Sequence, residues 1–241
     1  MDEKRRAELQ KFLSGPIFNI VNVKEEELNR YDQALTHSSF ANEMKVRNME
    51  CEDYERLEFL GNFVLNFVVS EQVFKRFKDD SEGYMTKRME IVSNEILAEI
   101  VRKKKIGIEE LTQRGKGQDL GDSIVADAFE ALIGAVYLGK GMRTAKKIIL
   151  GMLSDEIENF NPERNHIGRL KELVEINKLG CLEYVDEKAG QDKPAFRVIV
   201  KLLGVTLGEG TGNSKSAAKK EAAKSALNKM EETESGRGKA I

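Results

Sequence analysis

The sequence has no tryptophan, only two histidines, two cysteines and three prolines in 241 residues. Cys51 and Cys181 stand far apart, so we expect free thiols rather than a cysteine-bound metal or a disulfide. No run of about eighteen apolar residues occurs, which predicts that no segment spans a membrane. Residues 1–11 are charged and polar, without the apolar stretch of a signal peptide, and we therefore expect a cytoplasmic protein.

The composition is that of a globular protein with a substantial core, since 40% of the residues are hydrophobic and 33% are charged. The net charge of -2 hides an uneven distribution. Acidic residues outnumber basic ones up to about residue 165, and basic residues outnumber acidic ones after it. A basic carboxyl-terminal third indicates a polyanionic partner if its positive groups share one face.

The first two thirds of the chain have helical periodicity almost throughout. Apolar residues recur at three and four positions, and glycine and proline are sparse inside these runs. We predict a helical domain over 1–158, followed by a polar linker at 159–166 that contains Pro162. The predicted helices are 2–13, 25–37, 53–77, 85–103, 121–138 and 142–158.

The pattern changes after the linker. A predicted helix at 167–178 is followed by three short β-rich segments, "CLEYVD", "AFRVIVKL" and "VTLGEG". The alanine-rich stretch "SKSAAKKEAAKSALNKM" then predicts a final helix, capped by Ser214. The sequence therefore predicts a small α+β domain of order α-β-β-β-α over 167–230, and a disordered tail at 231–241.

Two pairs of acids lie within apolar helices of the first domain. In "ERLEFLGNFVL", Glu55, Glu58 and Asn62 fall on one helical face, opposite an apolar one. In "DSIVADAFEALIGAVYL", Asp127 and Glu130 repeat the i, i+3 spacing. Unpaired carboxylates are costly in a buried helix, so these pairs indicate a shared divalent cation. Oxygen ligands without a cysteine or histidine cluster favour Mg²⁺, with Mn²⁺ as a substitute.

Other interpretations of the acids are a solvated acidic face, a di-iron site and a glycosidase acid pair. A di-iron bundle needs two Glu-x-x-His motifs on helices. His37 does not follow a glutamate by three residues, and His166 follows Glu163 only within the predicted polar linker, so the chain lacks the two helical motifs. A glycosidase stays possible from carboxylates alone, although such enzymes seldom lack tryptophan for stacking on sugars.

The sequence resembles the ribonuclease III family along most of its length. "ERLEFLGNFVL" is similar to the family signature, ERLEFLGD followed by an apolar run. "ALTHSSFANE", "SEGYMTKRMEIVSNEILA" and "DSIVADAFEALIGAVYL" resemble other elements of the nuclease domain, in the family's order. "GEGTGNSKSAAKKEAAKSAL" is similar to the glycine segment and last helix of a double-stranded-RNA-binding domain.

The resemblance implies an all-α RNase III endonuclease domain followed by a double-stranded-RNA-binding domain. It implies a homodimer that cleaves double-stranded RNA with Mg²⁺ during RNA processing, leaving 5′-phosphates, 3′-hydroxyls and short 3′ overhangs. The residues that it assigns are metal ligands at Glu58, Asn62, Asp127 and Glu130, a supporting Glu55, an acid near the RNA at Glu82, and dimer-interface aromatics at Phe59 and Phe63.

The RNA-binding candidates of the second domain are basic or polar. Lys215, Lys219 and Lys220 lie in the first turns of the last helix, where positive charge and the helix terminus both favour phosphate. Lys171 in the first helix and Gln191 in the loop "AGQDKP" are further candidates. The alternative for "GEGTG", a nucleotide-binding loop, fits poorly because its glycines do not follow G-x-G-x-x-G.

Asn62 departs from the family pattern, which has aspartate at this position. The amide keeps the shape and removes a charge from the expected cation site. Two hypotheses remain open. The chain is a natural variant that still cleaves, or it is a double-stranded-RNA-binding protein with impaired or abolished cleavage, whether natural or an engineered substrate trap.

Overall fold

The computed structural model describes residues 1–162, 165–187 and 196–237, with side chains described up to residue 230. The chain divides into two compact units, Met1–Phe160 and Asn161–Ile241. The two units are built differently, and each has its own hydrophobic core.

The first unit is helical, as the sequence predicts. Its α-helices are α1 (Glu3–Leu13), α2 (Glu25–Ala34), α3 (Ser38–Val46), α4 (Glu55–Arg76), α5 (Glu82–Arg88), α6 (Asn94–Lys104), α7 (Ile108–Leu111) and α8 (Asp122–Asn159). A 3-10 turn at Met89–Val92 separates α5 from α6.

Two predicted helix boundaries are wrong. The single helix predicted over 85–103 is broken, because Ser93 has extended backbone (φ -66°, ψ 149°) and starts α6. The helix predicted to end at residue 37 ends at Ala34, because His37 is extended and serves as the N-cap of α3, which the periodicity did not reveal. The His37 ring Nδ1 accepts the Ser39 N–H at 3.1 Å. Local capping therefore overrides apolar periodicity at both places.

The two helices predicted at 121–138 and 142–158 form the two parts of α8. Gly141 interrupts the helical backbone between them with φ 77° and ψ 173°. A residue with a side chain is strained at this φ, which is why a glycine marks the break.

Helices α4 and α8 pack against each other at backbone distance. A Cβ atom on Gly61 of α4 would lie 1.7 Å from the main-chain oxygen of Glu130, and one on Gly134 of α8 would lie 2.3 Å from that of Leu57. Only glycine fits at either position. Each glycine stands three or four residues from an acid, Glu58 or Glu130, so the close crossing also brings those acids together.

The second unit consists of α9 (His166–Ile176), a three-stranded antiparallel sheet and α10 (Lys215–Arg237). The strands are β1 (Leu182–Glu187), β2 (Phe196–Leu202) and β3 (Val205–Gly212), in the order β1-β2-β3. Register pairs include Leu182 with Leu202 and Phe196 with Gly212. The predicted order of helix, three strands and helix is confirmed.

The glycines of "GEGTG" allow β3 to approach α10. A Cβ on Gly208 would lie 2.4 Å from the main-chain oxygen of Ala222, and one on Gly210 would lie 2.2 Å from the Ala222 nitrogen. The small alanines of α10 face the sheet for the same reason. Helix α10 begins after Ser214, whose Oγ accepts the Ala217 N–H at 3.1 Å.

Helix α10 continues to Arg237, beyond the predicted domain end at residue 230. The tail predicted as disordered over 231–241 has helical backbone as far as Arg237, and residues 238–241 lie outside the described chain. Among the described residues, no helix combines the length and apolarity needed to cross a bilayer.

Candidate active site

Three carboxylates from two helices meet in the first unit. Glu58 of α4 and Asp127 and Glu130 of α8 each offer an oxygen, and these oxygens lie within 4.8 Å of one another. The two helices are far apart in the sequence, and their close crossing at Gly61 and Gly134 brings these acids together. The structure thus brings together the three acids that the resemblance assigns to a cation.

The acids of this cluster are poorly solvated. Glu130 is 2% exposed, and Glu58 and Asp127 are half-buried. Burial, followed by the charges of Asp127 and Glu55, raises the pKa of Glu58 to about 7. Burial raises the pKa of Glu130 to about 7 and also raises that of Asp127. Since like charges in a poorly hydrated site repel, a proton or a cation is required to neutralise the cluster.

Asp127 is held by two side chains that the sequence did not single out as site residues. Asn94 Nδ2 donates to Asp127 Oδ1 at 3.2 Å, and the Tyr54 hydroxyl lies 3.5 Å from Asp127 Oδ2. Tyr54 is 3% exposed, and burial followed by the Asp127 charge raises its pKa. Asn94 starts α6, in the middle of the helix predicted over 85–103. The sequence pattern does not indicate that Asn94 contacts Asp127, because only the fold places α6 beside α8.

Asn62 makes a hydrogen bond to the cluster. Its Nδ2 donates to Glu130 Oε1 at 3.0 Å, and this bond lowers the pKa of Glu130 against the effect of burial. One turn further along α4, Asn66 Nδ2 lies 2.9 Å from the Asn62 main-chain oxygen and 3.2 Å from Asn62 Oδ1. Asn62 therefore lies beside the acids and faces them with its amino group.

A groove runs along α4 next to the acids. It is lined by Glu55, Glu58, Phe59, Asn62 and Phe63. Glu55 is exposed at the start of α4 and belongs to the groove rather than to the three-carboxylate cluster.

Helix α4 carries a stripe of exposed phenylalanines. Phe59 and Phe63 are 69% and 63% exposed, and their ring centroids lie 5.1 Å apart in an edge arrangement. Phe67 and Phe74 continue the stripe, and sequence reasoning missed both although their spacing of four and seven residues follows the same face. Exposed aromatic stripes of this length are typical of interaction surfaces.

Glu82 is the first residue of α5 and is exposed. Its Oε1 accepts from the Thr86 hydroxyl at 3.5 Å. It is not a member of the carboxylate cluster.

The lysines proposed to bind RNA lie on the surface of the second unit. Lys215 Nζ is 2.8 Å from Asp186 Oδ2, and Lys219 Nζ lies 4.9 Å above the centroid of the Tyr184 ring. Lys171 Nζ lies 4.0 Å from Glu175 on the same helix. Lys220 is in the first turns of α10 with Lys215 and Lys219. Gln191 lies outside the described residues.

Comparison with known proteins agrees with this two-part organisation. A family described as Ribonuclease-III-like matches residues 26–157, and the Double-stranded RNA binding motif matches residues 167–230. Ribonuclease 3 of Caldanaerobacter subterraneus subsp. tengcongensis is 39% identical over 209 residues, which cover 82% of this chain and 90% of the relative. Ribonuclease 3 of Geobacillus sp. (strain WCH70) is 39% identical over 243 residues, covering 95% of this chain and 94% of the relative.

Solved structures support the same assignment for the first unit. The nuclease domain of ribonuclease III from Campylobacter jejuni is similar at a TM-score of 0.51 and 28% identity, covering 67% of this chain and 100% of that one. A second structure of that domain, titled for structural flexibility in a region involved in dimer formation, has a TM-score of 0.50 at 29% identity, covering 60% of this chain and 96% of that one. The chain belongs to the ribonuclease III family, and the resemblance found in the sequence is confirmed.

The acidic cluster fits the divalent cation on which the family depends. Three carboxylates supply hard oxygen ligands, and their raised pKa values reflect burial and mutual repulsion that a cation would relieve. No other group of three or more histidine, cysteine, aspartate or glutamate side chains converges this way in the part of the chain that the structure describes.

Proposed function

We propose that the chain cleaves double-stranded RNA with Mg²⁺ held by Glu58, Asp127 and Glu130. Family membership makes it an endoribonuclease that acts on double-stranded RNA. The observation that supports this particular site is the convergence of three poorly solvated carboxylates from α4 and α8. The products are 5′-phosphates and 3′-hydroxyls with short 3′ overhangs, and Mn²⁺ substitutes for Mg²⁺.

The roles of the residues follow from their contacts. A divalent cation held in this site would supply positive charge to the phosphate and would activate water for attack on it. Glu58, Asp127 and Glu130 provide the negative charge that holds it. Asn94 and the Tyr54 hydroxyl orient Asp127, and Asn62 orients Glu130. The mechanism requires no side-chain nucleophile.

The second unit supplies affinity for the duplex. A-form RNA hides its base edges, so a protein binds it through phosphates and 2′-hydroxyls over about 16 bp. Lys215, Lys219 and Lys220 at the start of α10 are suited to phosphates, because positive side chains and the helix N-terminus act together there. Lys171, Gln191 and Glu82 remain candidates for contacts along the duplex.

A homodimer would cover the phenylalanine stripe of α4. Leaving Phe59, Phe63, Phe67 and Phe74 more than half exposed to water is costly. A second copy of the same stripe offers a matching apolar face, as in the isologous contacts of two-fold dimers. Glu58 lies on the same helix, so dimerisation would also put two cation sites near the shared surface. Cytoplasmic location remains a prediction.

Impaired cleavage is the second candidate, and the contact of Asn62 favours it. An amide contributes no charge to a cation, and here its amino group faces Glu130. The chain would then bind duplex RNA and release it slowly or uncut.

The test is a cleavage assay of a labelled RNA duplex over a series of Mg²⁺ concentrations, with the native chain, Asn62→Asp and Glu130→Gln. Asn62→Asp should raise the cleavage rate at low Mg²⁺ by about tenfold or more, because it restores a charged ligand. Glu130→Gln should lower the cleavage rate at least about a hundredfold while duplex binding persists.

The native chain decides between the candidates in the same assay. Cleavage that depends on Mg²⁺ supports the nuclease, whereas duplex binding without cleavage at any Mg²⁺ concentration supports the second candidate. Equal rates for the native chain and Asn62→Asp would show that position 62 does not control use of the cation.

A further inference from the structure

Two asparagines one turn apart on α4, Asn62 and Asn66, form a hydrogen-bonded chain that ends on the acidic cluster. Asn66 Nδ2 reaches the main-chain oxygen of Asn62 at 2.9 Å and its Oδ1 at 3.2 Å. Asn62 Nδ2 reaches Glu130 Oε1 at 3.0 Å. Both amides are partly buried, so these bonds face little competition from water.

The groups at the two ends determine how both amides are oriented. A main-chain carbonyl can only accept, so Asn66 must turn its amino group towards Asn62. The same amino group also donates to the side chain of Asn62, so the acceptor there must be Asn62 Oδ1. This leaves the amino group of Asn62 facing Glu130, whose carboxylate, ionised whenever it holds a cation, is again an acceptor. One arrangement therefore satisfies all three bonds, and turning either amide breaks at least one of them.

We infer that Asn66 is a positioning residue that holds Asn62 as a hydrogen-bond donor to Glu130 and keeps the Asn62 oxygen away from the cation. The inference rests on the proposed function, because it concerns the cation held by Glu58, Asp127 and Glu130. It departs from the expectation that Asn62 is itself a ligand.

The chemistry of the amide explains why the donor role and the ligand role exclude each other. The only side-chain atom of Asn62 that can bind a hard cation is Oδ1, and that atom accepts from Asn66. Turning Oδ1 towards the cation would put the amino groups of Asn62 and Asn66 against each other and withdraw the donor from Glu130. Asn66 therefore limits the affinity of the site, and removing its side chain releases an additional ligand.

The experiment measures Mn²⁺ binding to the full chain without RNA, by the electron paramagnetic resonance signal of free Mn²⁺. The variants are Asn66→Ala, Asn62→Ala and the double variant. Asn66→Ala should bind Mn²⁺ about tenfold more tightly than the native chain, because the freed Asn62 oxygen can turn to the cation. The double variant should bind like Asn62→Ala alone, because no amide is left to turn.

A second substitution guards against a folding defect in Asn66→Ala. Serine at position 66 is polar and can bond the main-chain oxygen of Asn62, but it is too short to reach Oδ1. Asn66→Ser should therefore tighten Mn²⁺ binding as Asn66→Ala does. Circular dichroism melting of each variant identifies those that fold.

The outcomes separate this inference from the proposed function. Weaker or unchanged Mn²⁺ binding in folded Asn66→Ala and Asn66→Ser overturns the inference and leaves the three-carboxylate site standing. Tightening of the same size in the Asn62→Ala background also overturns it, because Asn66 would then act without Asn62. Absence of Mn²⁺ binding in the native chain overturns the cation site of the proposed function, and the inference with it.

Discussion

The two units of the chain place their charged side chains in opposite ways. In the first, Glu58, Asp127 and Glu130 carry like charges, lie against one another and are largely withdrawn from water. In the second, Lys215 lies on the surface and faces Asp186, an ion pair whose side chains are 66% and 56% exposed. The first arrangement stores an unfavourable interaction that a cation relieves. The second costs little and is easily exchanged for phosphate.

The largest effect should come from Glu130→Gln. This change keeps the shape of the most buried acid and removes its charge, so we expect duplex cleavage in Mg²⁺ to fall at least about a hundredfold. The assay is single-turnover cleavage of a labelled duplex. Glu26→Gln, an exposed acid in the first turn of α2, is the matched control and should leave the rate unchanged. A fall of similar size in both variants would contradict the special role of the cluster.

The close crossing of α4 and α8 should be the next most sensitive feature. A Cβ on Gly61 would meet the main-chain oxygen of Glu130 at 1.7 Å, so Gly61→Ala must push the two helices apart. We expect the free energy of unfolding to fall by about 3 kcal/mol or more, measured by urea denaturation. Gly83→Ala is the control, because a Cβ added to Gly83 in α5 would meet no atom within 4 Å. It should be neutral or slightly stabilising; equal stability of the two variants would contradict the packing described for α4 and α8.

The pH dependence of stability should distinguish the buried cluster from the surface charges. The native pKa values of Glu58 and Glu130 are raised from the ordinary 4.5 to about 7. Between those pH values the folded chain binds more protons than the unfolded chain, so stability falls as pH rises through this window. We expect the melting temperature of the chain in EDTA to decrease across it, and Mg²⁺ to offset the decrease at its upper end.

The variant Glu58→Gln/Glu130→Gln provides the control for this measurement. Its melting temperature in EDTA should depend less on pH, because the two groups with raised pKa values are gone. A pH dependence equal to that of the native chain would show that other groups cause it.

The smallest effect should come from the surface lysines. Lys215→Ala/Lys219→Ala should weaken duplex binding by about tenfold regardless of sequence, and it should lower the slope of log affinity against log salt by about 1 per lysine. Filter binding over a salt series measures both quantities. Lys4→Ala in α1 is the matched control and should change neither. Unchanged affinity of the double variant would mean that α10 does not contact the phosphates.

Periodicity and composition were enough to predict the class of each unit. The helices α4 and α8, the change of pattern after residue 158 and the order of helix, three strands and helix all follow from local residue spacing. Boundaries were less predictable where a cap competes with apolar periodicity. Ser93 and His37 have extended backbone and are the N-caps of α6 and α3. The apolar periodicity continues through both positions and therefore does not mark these helix boundaries.

The candidate site shows the same division. Each acidic pair is visible as an i, i+3 spacing on one helix, and the family signature marks Glu58 and Asn62. Asn94 and Tyr54 were not identified as site residues, because a hydrogen bond to a residue far away in the sequence leaves no periodic trace along the chain.

The sequence by itself determined which residues carry negative charge, which helices hold them, and that a basic α+β unit follows. Only the tertiary structure decided that the acids from α4 and α8 meet, because Gly61 and Gly134 allow contact between backbones that a single side chain would prevent. The tertiary structure also decided the role of Asn62. The orientation of its side-chain amide depends on which neighbouring groups donate hydrogen bonds and which accept them. Composition sets the charge of a site, and packing sets the distances and orientations through which that charge acts.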